Sequence, residues 1–209
     1  MNSSLNQVTC RSDTCQPGRA ASRWPILLAA VLLISNAAAG GDIGETLSYT
    51  DYPVNAHDSR SLGYALNHHS PIRQGGKTFH AYTSWRVSWQ YRWKVEDNGS
   101  CRISEVSSEV NSTIQLPRLI GGSPTQQERF QRYLSALKEH ELGHHRIGRQ
   151  AAIAVRQKLQ GMPAMNSCQR LVSAANRLAQ HTVERFKEEE RTYDLVTAHG
   201  RLQGAHLDY

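Results

Sequence analysis

The sequence predicts an α+β domain in which an antiparallel β-sheet comes first and a pair of antiparallel helices follows. Three observations carry this. Two runs of alternating hydrophobicity precede Pro117, the apolar period becomes helical after Ser123, and a Gly161-Met162-Pro163 break divides two helical stretches.

The first 39 residues do not read as part of that fold. Arg19 and Arg23 precede an apolar run from Pro25 to Ile34, and Ala37-Ala38-Ala39 then offers a small-residue cleavage site. That order is the signature of a secretory signal peptide, which would leave a single domain over residues 40–209. A membrane-spanning helix needs about 20 apolar residues, and Ser35 and Asn36 interrupt this run, so no stable membrane insertion is expected after cleavage. The product would be exported, to the periplasm or beyond.

Cleavage removes Cys10 and Cys15 and leaves Cys101 and Cys168. In an exported chain one remaining pair is expected to form a disulfide. It would close a loop of 67 residues, worth roughly 4 kcal/mol in the chain-entropy description. The formal charge falls from +6 to +4, because three arginines and Asp13 leave. A balance that small, with scattered basic residues, does not announce a nucleic-acid partner, and none is expected.

In the mature chain, Thr46 to Val54 reads as a first strand and Ser61 to His68 as a short helix. From Phe79 to Trp93 the odd positions are apolar or small, the period of a strand with one buried face. Trp85, Val87, Trp89, Tyr91 and Trp93 would line that face as core rather than as a ligand-binding strip. Asp97-Asn98-Gly99 signals a turn, and alternation resumes from Cys101 to Leu116, which predicts a long hairpin.

Ser123-Pro124-Thr125-Gln126 is a helix start, with Ser at the N-cap, Pro at the first position and Gln completing a capping box. The helix should run to about Gln160. A second begins near Asn166, with Leu171, Ala175, Leu178, Ala179, Val183 and Phe186 at helical spacing. Counted back from the short connection, His140 would sit level with Val183 and His144 with Ala179, near His181 and Glu184. Glu188-Glu189-Glu190 reads as a solvated face, and the stretch from Tyr193 to Gly204 as a segment beyond the helix.

The first of these helices carries His140-Glu141-Leu142-Gly143-His144, an H-E-x-x-H pattern. Residues four apart share a helix face, so both imidazoles can reach one metal ion, and the intervening carboxylate can take a proton from the water that the metal activates. Glu141 and His144 fall within the apolar stripe, where ionisable groups without a partner cost several kcal/mol. A zinc ion is the simplest partner. A catalytic site needs a third protein ligand, and spacing alone leaves His145, His181, Glu184, Asp194 and His199 as candidates. His145 points about 100° away from His144.

The chain resembles the DUF922 family, bacterial proteins described as predicted secreted zinc-dependent proteases. The resemblance rests on Ala81-Tyr82-Thr83-x-Trp85, on His140-Glu141-x-Gly143-His144, on Cys168, and on Tyr193-Asp194-x-x-Thr197-x-His199-Gly200-x-x-Gln203-Gly204-Ala205. It implies a zincin-like domain and tips the third ligand towards His199, with Tyr193 stabilising an oxyanion and Asp194 orienting a ligand imidazole. The expected function is hydrolysis of peptide or protein substrates, with zinc on His140, His144 and His199 and with Glu141 as general base. The rival expectation is an exported zinc-binding module with no catalysis.

Overall fold

The computed structural model describes residues 6–11, 14–17, 43–56 and 61–207, the first two segments by backbone alone. The apolar run and the cleavage signal lie outside the described residues. Strands β1 (Asn6–Arg11) and β2 (Thr14–Pro17) precede β3 (Gly44–Asn55). Helix α1 (Leu62–His69) and the small hairpin β4 (Arg73–Gln74) and β5 (Lys77–Thr78) follow. The main hairpin is β6 (Tyr82–Val95) and β7 (Cys101–Ile120), and helices α2 (Pro124–Gln160) and α3 (Cys168–Thr197) complete the fold.

The predicted α+β order holds, but the sheet is mixed. Its strand order is β2-β1-β6-β7-β3. β6 and β7 pair antiparallel, while β3 runs parallel to β7 from Gly44 opposite Glu109 to Asn55 opposite Ile120. Parallel neighbours cannot be joined by a tight turn, and here α1, the small hairpin and β6 itself intervene between β3 and β7 in the chain. Strand β7 then slots between β3 and β6. A second difference concerns the first residues, read above as leader: β1 pairs with the outer edge of β6, Val8 opposite Tyr91.

The aromatic alternation in β6 behaves as expected. Trp85, Val87, Trp89 and Tyr91 are buried, each contributing roughly 1.5–3 kcal/mol through the apolar surface it removes from water. In β7 the buried parity changes from Cys101 and Ile103 to Val106, Val110 and Ile114, because an irregularity opposite Arg92 and Trp93 leaves Ser104 without a partner.

Helix α2 starts with the predicted capping box, Ser123 and Gln126 bonding each other's backbone. It crosses β6 and β7, and α3 packs on it. One apolar cluster joins Val87, Trp89, Ile147, Ala151 and Ala179, and another joins Tyr52, Val54, Leu66, Phe130 and Tyr133. The segment from His140 to His145 lies between them. A Cβ at Gly148 would sit 2.7 Å from Trp85 Cγ, so the glycine lets the helix lie close on the sheet.

The connection between the helices does not turn back at once. Met165 pairs with Cys101 through both backbone bonds, at 2.7 and 2.8 Å, and Cys168 forms a disulfide with Cys101. This holds the start of α3 beyond the end of α2. His140 therefore faces Tyr193 and Asp194 rather than Val183, and His144 faces Glu190 rather than Ala179. Among the described residues, no helix is long and apolar enough to cross a membrane.

Candidate metal centre

Helix α3 extends to Thr197, so Tyr193 and Asp194 lie on its last turns and not in a segment beyond it. No proline or glycine occurs in α3 before that point to stop it. The chain then reverses through Ala198, His199 and Gly200, all with positive φ (49°, 52° and 82°). Left-handed backbone at two consecutive non-glycine residues is costly. It is held by the His199 N–H donating to the Asp194 carbonyl at 2.8 Å. Gly200 is demanded twice, by its φ and because a Cβ there would lie 2.9 Å from His140 Cγ. The reversal brings Gln203 back against α2.

Three donor atoms converge. His140 Nε2 and His144 Nε2 are 3.3 Å apart, and Asp194 Oδ1 lies 3.3 Å from the first and 3.0 Å from the second. His140, His144 and Asp194 could together hold a metal ion.

The far side of the His140 imidazole shows which proton it carries. The Tyr193 hydroxyl donates to the His140 carbonyl at 3.2 Å and accepts from Gln203 Nε2 at 3.1 Å. That fixes the Gln203 amide, whose Oε1 accepts from His140 Nδ1 at 2.9 Å. His144 Nδ1 faces Glu190 Oε1 at 3.4 Å, a charge contact too long and oblique to be a good hydrogen bond. His140 Nδ1 thus holds its proton towards an acceptor, and the two Nε2 atoms and a carboxylate oxygen point at one another. Such a cluster needs a cation. Without a metal, a proton serves: burial pulls the His144 imidazole down, but Asp194 and Glu190 outweigh it and raise it to about 9. Burial likewise pushes the Asp194 carboxyl up, while His140 and His144 hold it well below the usual range.

Glu141 is buried and lines the adjoining cleft, and Thr83 donates to its Oε2 at 2.6 Å. Burial raises its carboxyl, against the pull of Thr83 and the imidazoles. His199 also lines the cleft, about half exposed, with Nδ1 3.6 Å from Asp194 Oδ1 and its ring on Phe79. It stands beside the three-atom cluster. Tyr193 stacks on His140, and its hydroxyl reaches the α2 backbone at Gly143, so here it positions His140.

The other candidates lie elsewhere. His181 and Glu184 are exposed. His145 is buried, with Ser112 Oγ at 2.8 Å and Glu45 Oε1 at 2.9 Å, and ties α2 to the sheet. Three contributors have no role in the sequence reading: Glu190 accepts from Trp85 Nε1 at 2.8 Å, Thr83 holds Glu141, and Gln203 accepts from His140 Nδ1. The signal for Glu190 was available: it follows Phe186 by four residues and precedes Asp194 by four, on the buried stripe of α3.

Fold and cluster together define an α+β protein with a candidate His-His-Asp metal centre on an H-E-x-x-H helix. Residues 49–200 match a family described as bacterial proteins of unknown function, DUF922, and the chain belongs to that family. No curated protein and no solved structure gave a match.

Proposed function

We propose that this protein is an exported zinc-dependent metallopeptidase. The observation that carries the reading is the spacing of the three donor atoms. Ligands about 2.0–2.1 Å from a tetrahedral zinc ion are about 3.3 Å from one another, and the observed separations are 3.3, 3.3 and 3.0 Å. Three protein ligands leave the fourth position open, the arrangement of a catalytic site. Asp194 takes the third place expected of His199. The Cys101–Cys168 disulfide is in keeping with an oxidising compartment.

Bound zinc would supply Lewis acidity towards a water molecule and a substrate carbonyl. His140, His144 and Asp194 would hold it, Gln203 would keep the His140 Nε2 atom turned inward, and the Glu190 carboxylate stands beside His144 Nδ1. Glu141, with its carboxyl raised by burial and steadied by Thr83, takes the proton from the attacking water and passes it to the departing amine. The cleft, about 660 Å³, supplies room for a peptide. A non-catalytic zinc module has no use for Glu141. The test is zinc content and hydrolysis of a peptide library by the mature protein and by Glu141→Gln. Zinc in both with hydrolysis only in the unmodified protein supports the reading; no zinc in either sinks it.

A further inference from the structure

We infer that the cleft selects peptides carrying side-chain carboxylates, read by Lys77 and Arg201; this rests on the peptidase reading above. The cleft carries charges of both signs. Its lining carboxylates are Glu141, Glu190 and Asp194, all at the metal end and all engaged. Asp194 meets two imidazoles, Glu190 meets Trp85 and Lys187, and Glu141 meets Thr83. A divalent ion would cancel most of their charge.

Among the described residues, the rest of the lining carries Lys77, Arg191 and Arg201 and no further carboxylate. Arg191 is matched by Glu188. Lys77 and Arg201 have no ion-pair partner among the described residues. The two cations come from different elements. Lys77 follows the Gly75-Gly76 turn of the β4–β5 hairpin, where both glycines have positive φ. Arg201 opens a single 3₁₀ turn between Gly200 and Gly204, closed by the Gly204 N–H donating to the Arg201 carbonyl.

Tight turns thus hold two cations in the lining of the cleft that also holds the metal centre. Neutral polar groups, Asn67 and Gln74, complete this wall. A basic substrate would meet two like charges there, and an acidic one would meet two partners. Because the contacts are solvent-exposed, they favour selection and encounter over tight binding and are weakened by salt.

The experiment uses zinc-loaded Glu141→Gln protein, so that peptides bind without turnover. Fluorescein-labelled octapeptides, blocked at both ends, carry Glu, Gln or Lys at the same two positions, and dissociation constants are read by anisotropy in 50 mM and 300 mM salt. The expected result is Glu tighter than Gln by about three- to thirtyfold, with Lys weakest, and the preference shrinking at high salt. It should also vanish when Lys77→Ala and Arg201→Ala are added, provided that zinc content and circular dichroism are unchanged. Equal affinity for the Glu and Gln peptides overturns the inference alone. A preference that survives in the added variant also overturns it, since the metal itself is then reading the carboxylates. Failure of every peptide to bind zinc-loaded protein overturns the peptidase reading together with this one.

Discussion

His140 Nδ1 lies 2.9 Å from Gln203 Oε1, so a residue on the 3₁₀ turn that follows α3 sets the tautomer of a metal-ligand candidate on α2. The Tyr193 hydroxyl, between Gln203 and the His140 carbonyl, closes this loop of bonds. Contacts of this kind fix imidazole orientation, and their loss lowers metal affinity about 10–100-fold. Gln203→Ala is therefore expected to weaken zinc binding by that factor in a chelator competition, with little change in far-ultraviolet circular dichroism. Unchanged affinity would show that the amide has no part in holding the metal.

Asp194 and His199 make opposite predictions for metal content. Asp194 Oδ1 is within 3.3 Å of both Nε2 atoms, while His199 reaches only Asp194 itself, at 3.6 Å. Asp194→Ala should leave the purified protein with little zinc. His199→Ala should keep close to one zinc per chain. Zinc lost from His199→Ala and kept in Asp194→Ala would reverse the ligand assignment.

What could be read from the sequence divides along the range of the interactions concerned. The buried face of β6, the capping box at Ser123 and the pairing of His140 with His144 are local, set by periods of 2 and 3.6 residues and by a four-residue cap. The parallel partnership of β3 with β7 is not local. Both strands alternate or fail to alternate in the same way whichever neighbour they take, so their sequences do not specify direction. The third ligand suffered from the same limit. It depends on how far the linker carries α3 past α2, which is set by the Met165–Cys101 pairing, a contact between residues 64 positions apart. The helical stripe that includes Glu190 and Asp194 was within reach, but a run of three glutamates imitates a solvated face.

Gly143 is where the two helices approach closely at the site. A Cβ there would lie 2.1 Å from the Tyr193 hydroxyl oxygen. Alanine is the better helix former by about 1 kcal/mol, yet overpacking of this kind costs typically 1–3 kcal/mol or more. Gly143→Ala should thus lower stability in urea unfolding by about 1–2 kcal/mol and displace the Tyr193 ring from His140. In a Tyr193→Ala background the same substitution should become neutral or stabilising. Equal effects in both backgrounds would mean that the ring and the glycine are not coupled.

His80 supplies a pH dependence that is separate from the metal centre. It stands between Tyr133 and Asn67, with Nδ1 2.7 Å from the Tyr133 hydroxyl and Nε2 3.0 Å from Asn67 Oδ1. Both nitrogens are satisfied in the neutral ring, and burial lowers its pKa from 6.5 to about 4. Between those values the unfolded chain binds a proton that the folded one refuses. Stability from this residue is therefore fully present above pH 6.5 and is lost as the pH falls through about 4. At one pKa unit per 1.36 kcal/mol, the loss between pH 7 and pH 5 is about 2 kcal/mol. His144 works in the opposite sense, since its raised pKa adds stability on the acid side, so the raw curve mixes the two. Urea unfolding of the unmodified protein and of His80→Gln at both pH values separates them: the variant should lose about 2 kcal/mol less on acidification. Parallel losses would mean that the His80 ring takes up its proton in the folded state as readily as in the unfolded one.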